Sequence, residues 1–202
     1  MSDVFFSGIG LPDPDVKLAV CSGSQAEQTG EILITIELVI LEAKRDWVLV
    51  YGETNSTLAT ALVAVKIRAP LAHIEAGLRS RNRLMPEEIN CVLTDHASDL
   101  LFAPTELAIE NLKAEGLGEK SFLVGDVMAD LVQSAKKFDT GAQVNAAGIS
   151  DSLENVAATI HRPSNPTTLS DCEQLFRFWL RSLRTWSSLL TLDFCRIPVD
   201  TA

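Results

Sequence analysis

The chain has 202 residues, 47% of them hydrophobic and 22% charged, with a formal net charge of −10, which suits one ordinary α/β domain with a sizeable core rather than two full domains. The acidic balance argues against nucleic acid as a partner, and no apolar run approaches the ~20 residues that cross a bilayer. Met1-Ser2-Asp3-Val4-Phe5-Phe6 lacks the basic and then apolar order of a signal peptide, so the chain reads as a soluble cytoplasmic protein.

In chain order, Val16 to Val20 is a short apolar strand candidate, and Ser24-Gln25-Ala26-Glu27 has the Ser-x-x-Glu form of a capping box. The helix it opens is expected to run to about Lys44. Its middle, Ile32 to Leu41, is rich in β-branched residues, but the segment is too long for one strand, and length decides for a helix. Trp47 to Tyr51 reads as a strand, Ser56 to Ile67 as a helix and Leu71 to Ile74 as a strand. Pro86 at a first helical position, followed by Glu87 and Glu88, opens a helix reaching about Ala97. Leu100 to Ala103 is a strand, Thr105 to Glu115 a helix closed by Gly116, and Phe122 to Val124 a strand. Asp126 can cap a last helix that ends near Lys136 and Lys137, whose charges suit its C-terminus. Such alternation with short connections predicts a doubly wound, parallel, Rossmann-like α/β sheet.

The text changes after Phe138. Residues 1–139 are read as the Rossmann-like domain and 140–153, rich in Gly, Ala, Ser and Asn, as a linker. Residues 154–171 are read as the start of a second domain, with Asn155 to Ile160 as its first strand. Residues 172–202, with Phe176, Trp179, Leu183 and Trp186, form an apolar tail expected to be unrelated to the rest. Cys21, Cys91, Cys172 and Cys195 have neither the spacing of a zinc site nor that of a disulfide framework, and read as reduced thiols.

Chemistry-bearing residues gather between Val48 and Asn90. Gly52-Glu53-Thr54 follows one predicted strand, His73-Ile74-Glu75-Ala76-Gly77-Leu78-Arg79 spans the end of the next, and Pro86-Glu87-Glu88-Ile89-Asn90 opens a helix. In an open parallel sheet, the crevice outside the carboxyl ends of the strands is where ligands bind. Glu53, Glu75 and Glu87 converge there if the sheet is parallel. His73, at the end of an apolar strand, reads as a hydrogen-bonded core residue, and His96, late in a helix, as a partner for the helix dipole.

GETNST, AHIEAGLRS, MPEEIN, TDHASDLLFAPTE and VGDVMAD, in that order, with Ala157-Ala158-Thr159-Ile160-His161-Arg162 beyond them, resemble the non-hydrolysing UDP-N-acetylglucosamine 2-epimerases. The resemblance implies the GT-B arrangement of two Rossmann-like domains, of which this chain would carry the first without its opening βα unit and little of the second. It implies epimerisation at C2 of UDP-N-acetylglucosamine: a base takes the C2 proton as UDP leaves C1, and UDP then adds back to the glucal with a proton from the other face. That route needs proton-transfer groups on both sides of the ring and cations for the diphosphate, and neither nicotinamide nor metal. Carried over by motif, Glu53, Glu75 and Glu87 take acid/base roles, His161 a catalytic or diphosphate-facing role, and Arg79 and Arg162 substrate binding. Arg79 has a rival reading, as an anchor of its loop through Glu75 or Glu87.

Two positions depart from the family. Glu53 stands where the family has Asp, and a shift of ~1 Å in a reacting group can lower a rate ~100-fold. Cys91 replaces an Arg, so a cation near a diphosphate or carboxylate is expected to be lost. The family's opening Gly-Thr-Arg-Pro-Glu turn has no counterpart in this text, and impaired turnover is the expectation. An inactive remnant that only associates, or a GT-B glycosyltransferase fragment, are the alternatives. The family also implies a homodimer.

Overall fold

The computed structural model describes residues 12–20, 23–135, 156–158 and 190–192. By its internal contacts the chain divides into two units, Met1–Ala135 and Lys136–Ala202.

In the first unit the expected capping box opens helix α1 (Gln25–Ala43): the Glu27 amide donates to Ser24 Oγ and the Ser24 amide to Glu27 Oε2. Two orphan amides are thereby satisfied, and the β-branched middle stays helical. The Val16 to Val20 segment, expected as a strand, does not form one, and Ala19 at φ 56° turns it out of the extended region.

Strand β1 (Val48–Tyr51), helix α2 (Asn55–Lys66), strand β2 (Leu71–Ile74), helix α3 (Pro86–Ala97), strand β3 (Leu100–Ala103), helix α4 (Glu106–Ala114), strand β4 (Ser121–Leu123) and helix α5 (Val127–Ala135) follow. The strands lie in the order β1-β2-β3-β4, every pair parallel. Four parallel strands joined through helices make the first unit α/β. Thr54 and Thr105 cap α2 and α4 with their hydroxyls, and Asp126 Oδ1 accepts the Met128 amide at 2.8 Å at the start of α5. Gly116, at φ 80°, ends the α4 segment.

The register places Val50, His73 and Leu101 side by side on one face of the sheet. Helices cover that face: Ala61 and Ala64 of α2 pack with Val50 and Leu71, and Ala108, Ile109 and Leu112 of α4 pack with Leu101 and Ala103. Small residues on α2 let the helix approach the strands closely, and α1 packs on its outer side. On the other face Leu49, Tyr51 and Phe122 remain about half exposed, and the Phe102 and Phe122 rings lie 6.3 Å apart between centroids.

In the second unit, β5 (Val156–Ala158) pairs in parallel with β6 (Leu190–Leu192). The first lies where a strand was expected. The second lies within the 172–202 stretch. The linker at 140–153, His161, Arg162, Cys21, Cys172, Cys195 and the tail's tryptophans lie outside the described residues. Among the described residues no helix is long and apolar enough to cross a membrane.

Candidate active site at the carboxyl edge of the sheet

Parallel pairing puts the ends of β1 and β2 at the same edge. Just beyond β1, the Gly52 amide continues the ladder by donating to Ile74 O at 3.1 Å, with Gly52 at φ 64°. Glu53 follows, half-buried. Just beyond β2, Glu75 itself stands at φ 70°, a conformation that costs a non-glycine residue roughly 1–2 kcal/mol. Ala76 is fully buried and its amide reaches across to Phe102 O at 3.1 Å. Gly77 completes the turn at φ 81°, and a Cβ there would sit 2.5 Å from Ala108 O. Only glycine fits.

The Glu75 and Glu53 carboxylates sit close enough to feel each other. Glu75's carboxyl is held above the ordinary range, first by burial, then by the negative charges of Asp126 and Glu53, with His73 opposing. Asp126, beyond the end of β4, is a member of this rim that sequence reasoning used only as a cap. Its position after a strand end was the signal available.

Helix α3 opens with two further carboxylates. Of the adjacent pair Glu87 and Glu88, the second is buried and accepts both the Ser80 amide, at 2.6 Å, and the Ser80 hydroxyl, at 2.8 Å. Glu88 thus closes the loop between β2 and α3. Glu87 is half-buried and makes no hydrogen bond or ion pair with the described residues, which leaves its oxygens for other chemistry. Asn90, one turn on, donates to Glu53 O at 3.0 Å and to Asn55 Oδ1 at 3.1 Å, and Asn55 donates in turn to Gln25 and Gln28 of α1. The chain from α1 through Asn55 and Asn90 fixes the backbone of Glu53. Asn90 stood in the quoted motif without a role.

Beneath the rim lies a buried ionic layer built on Asp95. Its Oδ1 meets His73 Nδ1 at 2.7 Å, and its Oδ2 accepts the Gly77 amide at 3.0 Å and Arg79 Nη2 at 2.8 Å. His73 is the core residue expected, fully buried, with Nε2 donating to Gly52 O at 2.8 Å. Arg79 lies in the same layer. Its side chain is 4% exposed, its Nε and Nη2 grip both oxygens of Glu115 at 2.8 and 2.7 Å, and Nη1 donates to Leu78 O and Cys91 Sγ. With Asp95 added, all five of its N–H donors are engaged. Its ion-pair partners are Asp95 and Glu115, where the rival reading had Glu75 or Glu87. Burial disfavours the charge, but the Glu115 hydrogen bond and Asp95 outweigh it and hold the guanidinium protonated.

Cys91 belongs to the same layer. Its thiol donates to Leu78 O at 3.3 Å, and burial, with Asp95 next, pushes it up to about 12. Its sulfur lies 3.9 Å from Asp95 Oδ2. His96 Nε2 lies 3.5 Å from Glu115 Oε2, while the C-terminal carbonyls of α3 at Asp95 and Ser98 accept from Lys120 Nζ. Among the described residues no group of His, Cys, Asp and Glu is arranged to hold a metal ion.

A family model described as UDP-N-acetylglucosamine 2-epimerase matches residues 1–189. The chain belongs to the UDP-N-acetylglucosamine 2-epimerase family. The match runs well past Cys172, where the resemblance was expected to end. A UDP-2,3-diacetamido-2,3-dideoxy-D-glucuronate 2-epimerase of Pseudomonas aeruginosa is 47% identical over 165 residues, 82% of this chain and 46% of its own. A UDP-N-acetylglucosamine 2-epimerase of Methanocaldococcus jannaschii is 47% identical over 171 residues, with the same two coverages. Among solved structures, the Methanocaldococcus jannaschii UDP-GlcNAc 2-epimerase in complex with UDP-GlcNAc and UDP superposes with a TM-score of 0.81 at 40% identity, over 94% of this chain and 53% of that one. The Neisseria meningitidis enzyme bound to UDP-GlcNAc gives 0.81 at 28% identity, over 96% of this chain and 55% of that one. The chain spans about half the length of the curated relatives it matches.

Proposed function

We propose that this chain carries the catalytic rim of a UDP-sugar 2-epimerase acting on UDP-N-acetylglucosamine. Support comes from the family together with one observation: Glu53 and Glu75 leave adjacent parallel strands at the same edge, and Glu75's carboxyl is held up by burial and by its acidic neighbours. A carboxyl so placed can keep a proton nearer to neutral pH than an exposed one, as a group that takes a proton from C2 or delivers one to its opposite face requires. Glu53, Glu75 and Glu87 take the proton transfers, with UDP eliminated from C1 and added back to the glucal. Arg79 and Asp95 hold the loop that presents Glu75. His161 takes a catalytic or diphosphate-facing role and Arg162 binds substrate in this reading, 1–139 is the first lobe of a GT-B pair, and the working form is a cytoplasmic homodimer that binds no nucleic acid.

A second sugar is favoured by a specific observation, since the Pseudomonas aeruginosa relative acts, by its name, on a diacetamido glucuronate and is as similar as the Methanocaldococcus jannaschii enzyme. Both are 2-epimerases, and the rim chemistry is shared. The test is incubation of the purified chain with each UDP-sugar in D2O, followed by NMR. Deuterium at C2 and appearance of the C2 epimer are expected, and Glu75→Gln should lower the rate by at least ~100-fold. Retention of the C2 proton in both sugars, with no shift in Tm on adding UDP, would overturn the proposal in favour of an inactive, associating remnant. Transfer of the sugar to an acceptor would instead mark a glycosyltransferase.

A further inference from the structure

We propose that Asp95 is the positioning residue that fixes Glu53 and Glu75 relative to one another; the role rests on the epimerase reading above. Its side chain is fully buried and bonds to none of Glu53, Glu75 and Glu87. Each oxygen instead holds one of the two turns that carry the acids. Through Oδ1 it fixes His73, 2.7 Å away, whose other nitrogen donates to Gly52 O at 2.8 Å, one residue before Glu53. Through Oδ2 it takes the Gly77 amide at 3.0 Å, two residues after Glu75.

The protons in this chain of contacts are constrained. Gly52 O can only accept, so Nε2 of His73 carries a hydrogen, and a single further proton lies between Nδ1 and Oδ1. Arg79, pinned by Glu115, supplies a positive charge at 2.8 Å from Oδ2 and keeps the carboxylate turned toward Gly77. The arrangement is directional at every link.

The turns need such a hold. Gly52, Glu75 and Gly77 all stand at positive φ, at 64°, 70° and 81°, and a strained conformation at a non-glycine residue persists only where its surroundings over-determine it. Ala76 N to Phe102 O supplies one tie and Gly77 N to Asp95 the other, at the two residues that follow Glu75. Because His73 and Gly77 share one carboxylate, the β1 turn and the β2 turn cannot shift independently.

Asp95→Ala and Asp95→Asn in the full chain test this. Alanine removes both contacts, so kcat should fall about 100-fold with KM changed less than about three-fold, as for a misplaced but still accessible reacting group. Exchange of the Gly77 amide should quicken at least about ten-fold. Asparagine keeps the shape and one acceptor, so it should recover about ten-fold of the lost kcat while losing the low-field Nδ1 proton resonance that marks the shared proton in the wild type. Asp99→Ala is the structural control: it removes the bond to the Leu71 amide, 2.9 Å, at the opposite end of β2, and should leave Gly77 exchange, the low-field resonance and kcat unchanged. Wild-type Gly77 exchange in Asp95→Ala, or a kcat within three-fold of wild type, would overturn the proposal. Should the wild type turn over no UDP-sugar, the epimerase reading falls, and Gly77 exchange with the low-field resonance still decides whether Asp95 holds the two turns.

Discussion

Replacing Arg79 by leucine removes the centre of the buried ionic layer and tests whether the residue is an anchor. Two carboxylates lose a partner, unequally. Asp95 is fully buried and Glu115 is 29% exposed. Breaking a buried ion pair by deleting one member destabilises by about 3–5 kcal/mol, because the other charge is left uncompensated. Asp95 keeps His73 and the Gly77 amide, which places its share at the low end, about 3 kcal/mol. Glu115 can turn to water, so its share is that of a surface pair, under about 1 kcal/mol. The expected loss is therefore about 3–4 kcal/mol, read from the shift in urea midpoint at constant slope with far-ultraviolet circular dichroism as the probe. Arg79→Lys keeps the charge but offers three donors in place of the planar fork of five, so it should recover about half of the loss. A leucine variant within 1 kcal/mol of wild type would refute the reasoning, since it would mean that the Asp95 charge is not held by Arg79.

Glu115 gives the pH dependence. The hydrogen bond from Arg79 holds its carboxyl below the ordinary value, so its contribution is present above the unfolded-state value of about 4.5 and disappears as pH falls through the folded one. Glu115→Gln should therefore lower the urea midpoint at pH 7, with the difference from wild type shrinking toward zero in acid; a difference that grows on acidification would reverse the sign argued for the pair. Gly77→Ala combines a φ of 81° with a Cβ 2.5 Å from Ala108 O, backbone against backbone, and should destabilise by about 3 kcal/mol or more. Its thermal unfolding midpoint measures that directly.

Much of the first unit was legible because its signals are local. Ser24 and Glu27 specify a helix start by two reciprocal bonds, Pro86 fixes another, and four-residue apolar runs such as Leu71 to Ile74 fit a strand buried in a parallel sheet. Val16 to Val20 failed for a local reason too, since apolar content does not reveal that Ala19 takes a left-handed φ. The Leu190–Leu192 strand was not legible for a non-local reason: its three residues pair with Val156–Ala158, a pairing that no spacing in the text announces. Glu53 and Glu75 were legible as neighbours because each follows the end of a strand. Asp95 was missed because it sits inside α3, where nothing in a helical pattern distinguishes a buried carboxylate from a solvated one. Its clue was His73, an apolar-strand histidine whose two nitrogens both need partners.

Pairing in space also explains why adjacent acids in the text have different fates. Glu87 and Glu88 share a helix turn, yet successive helical residues point about 100° apart, so one faces the Ser80 loop and is consumed by it while the other keeps its oxygens. Glu53 and Glu75, separated by more than twenty residues, are neighbours because β1 and β2 are parallel and end together. A departure such as Glu53 for the family's Asp then has a bounded effect. Its backbone is held by Asn90 and, one residue earlier, by His73, so the extra methylene must be absorbed by the side chain alone. The carboxyl moves toward or away from Glu75, and the main chain does not follow. Restoring aspartate should for that reason change the proton-transfer rate without changing the stability of the rim.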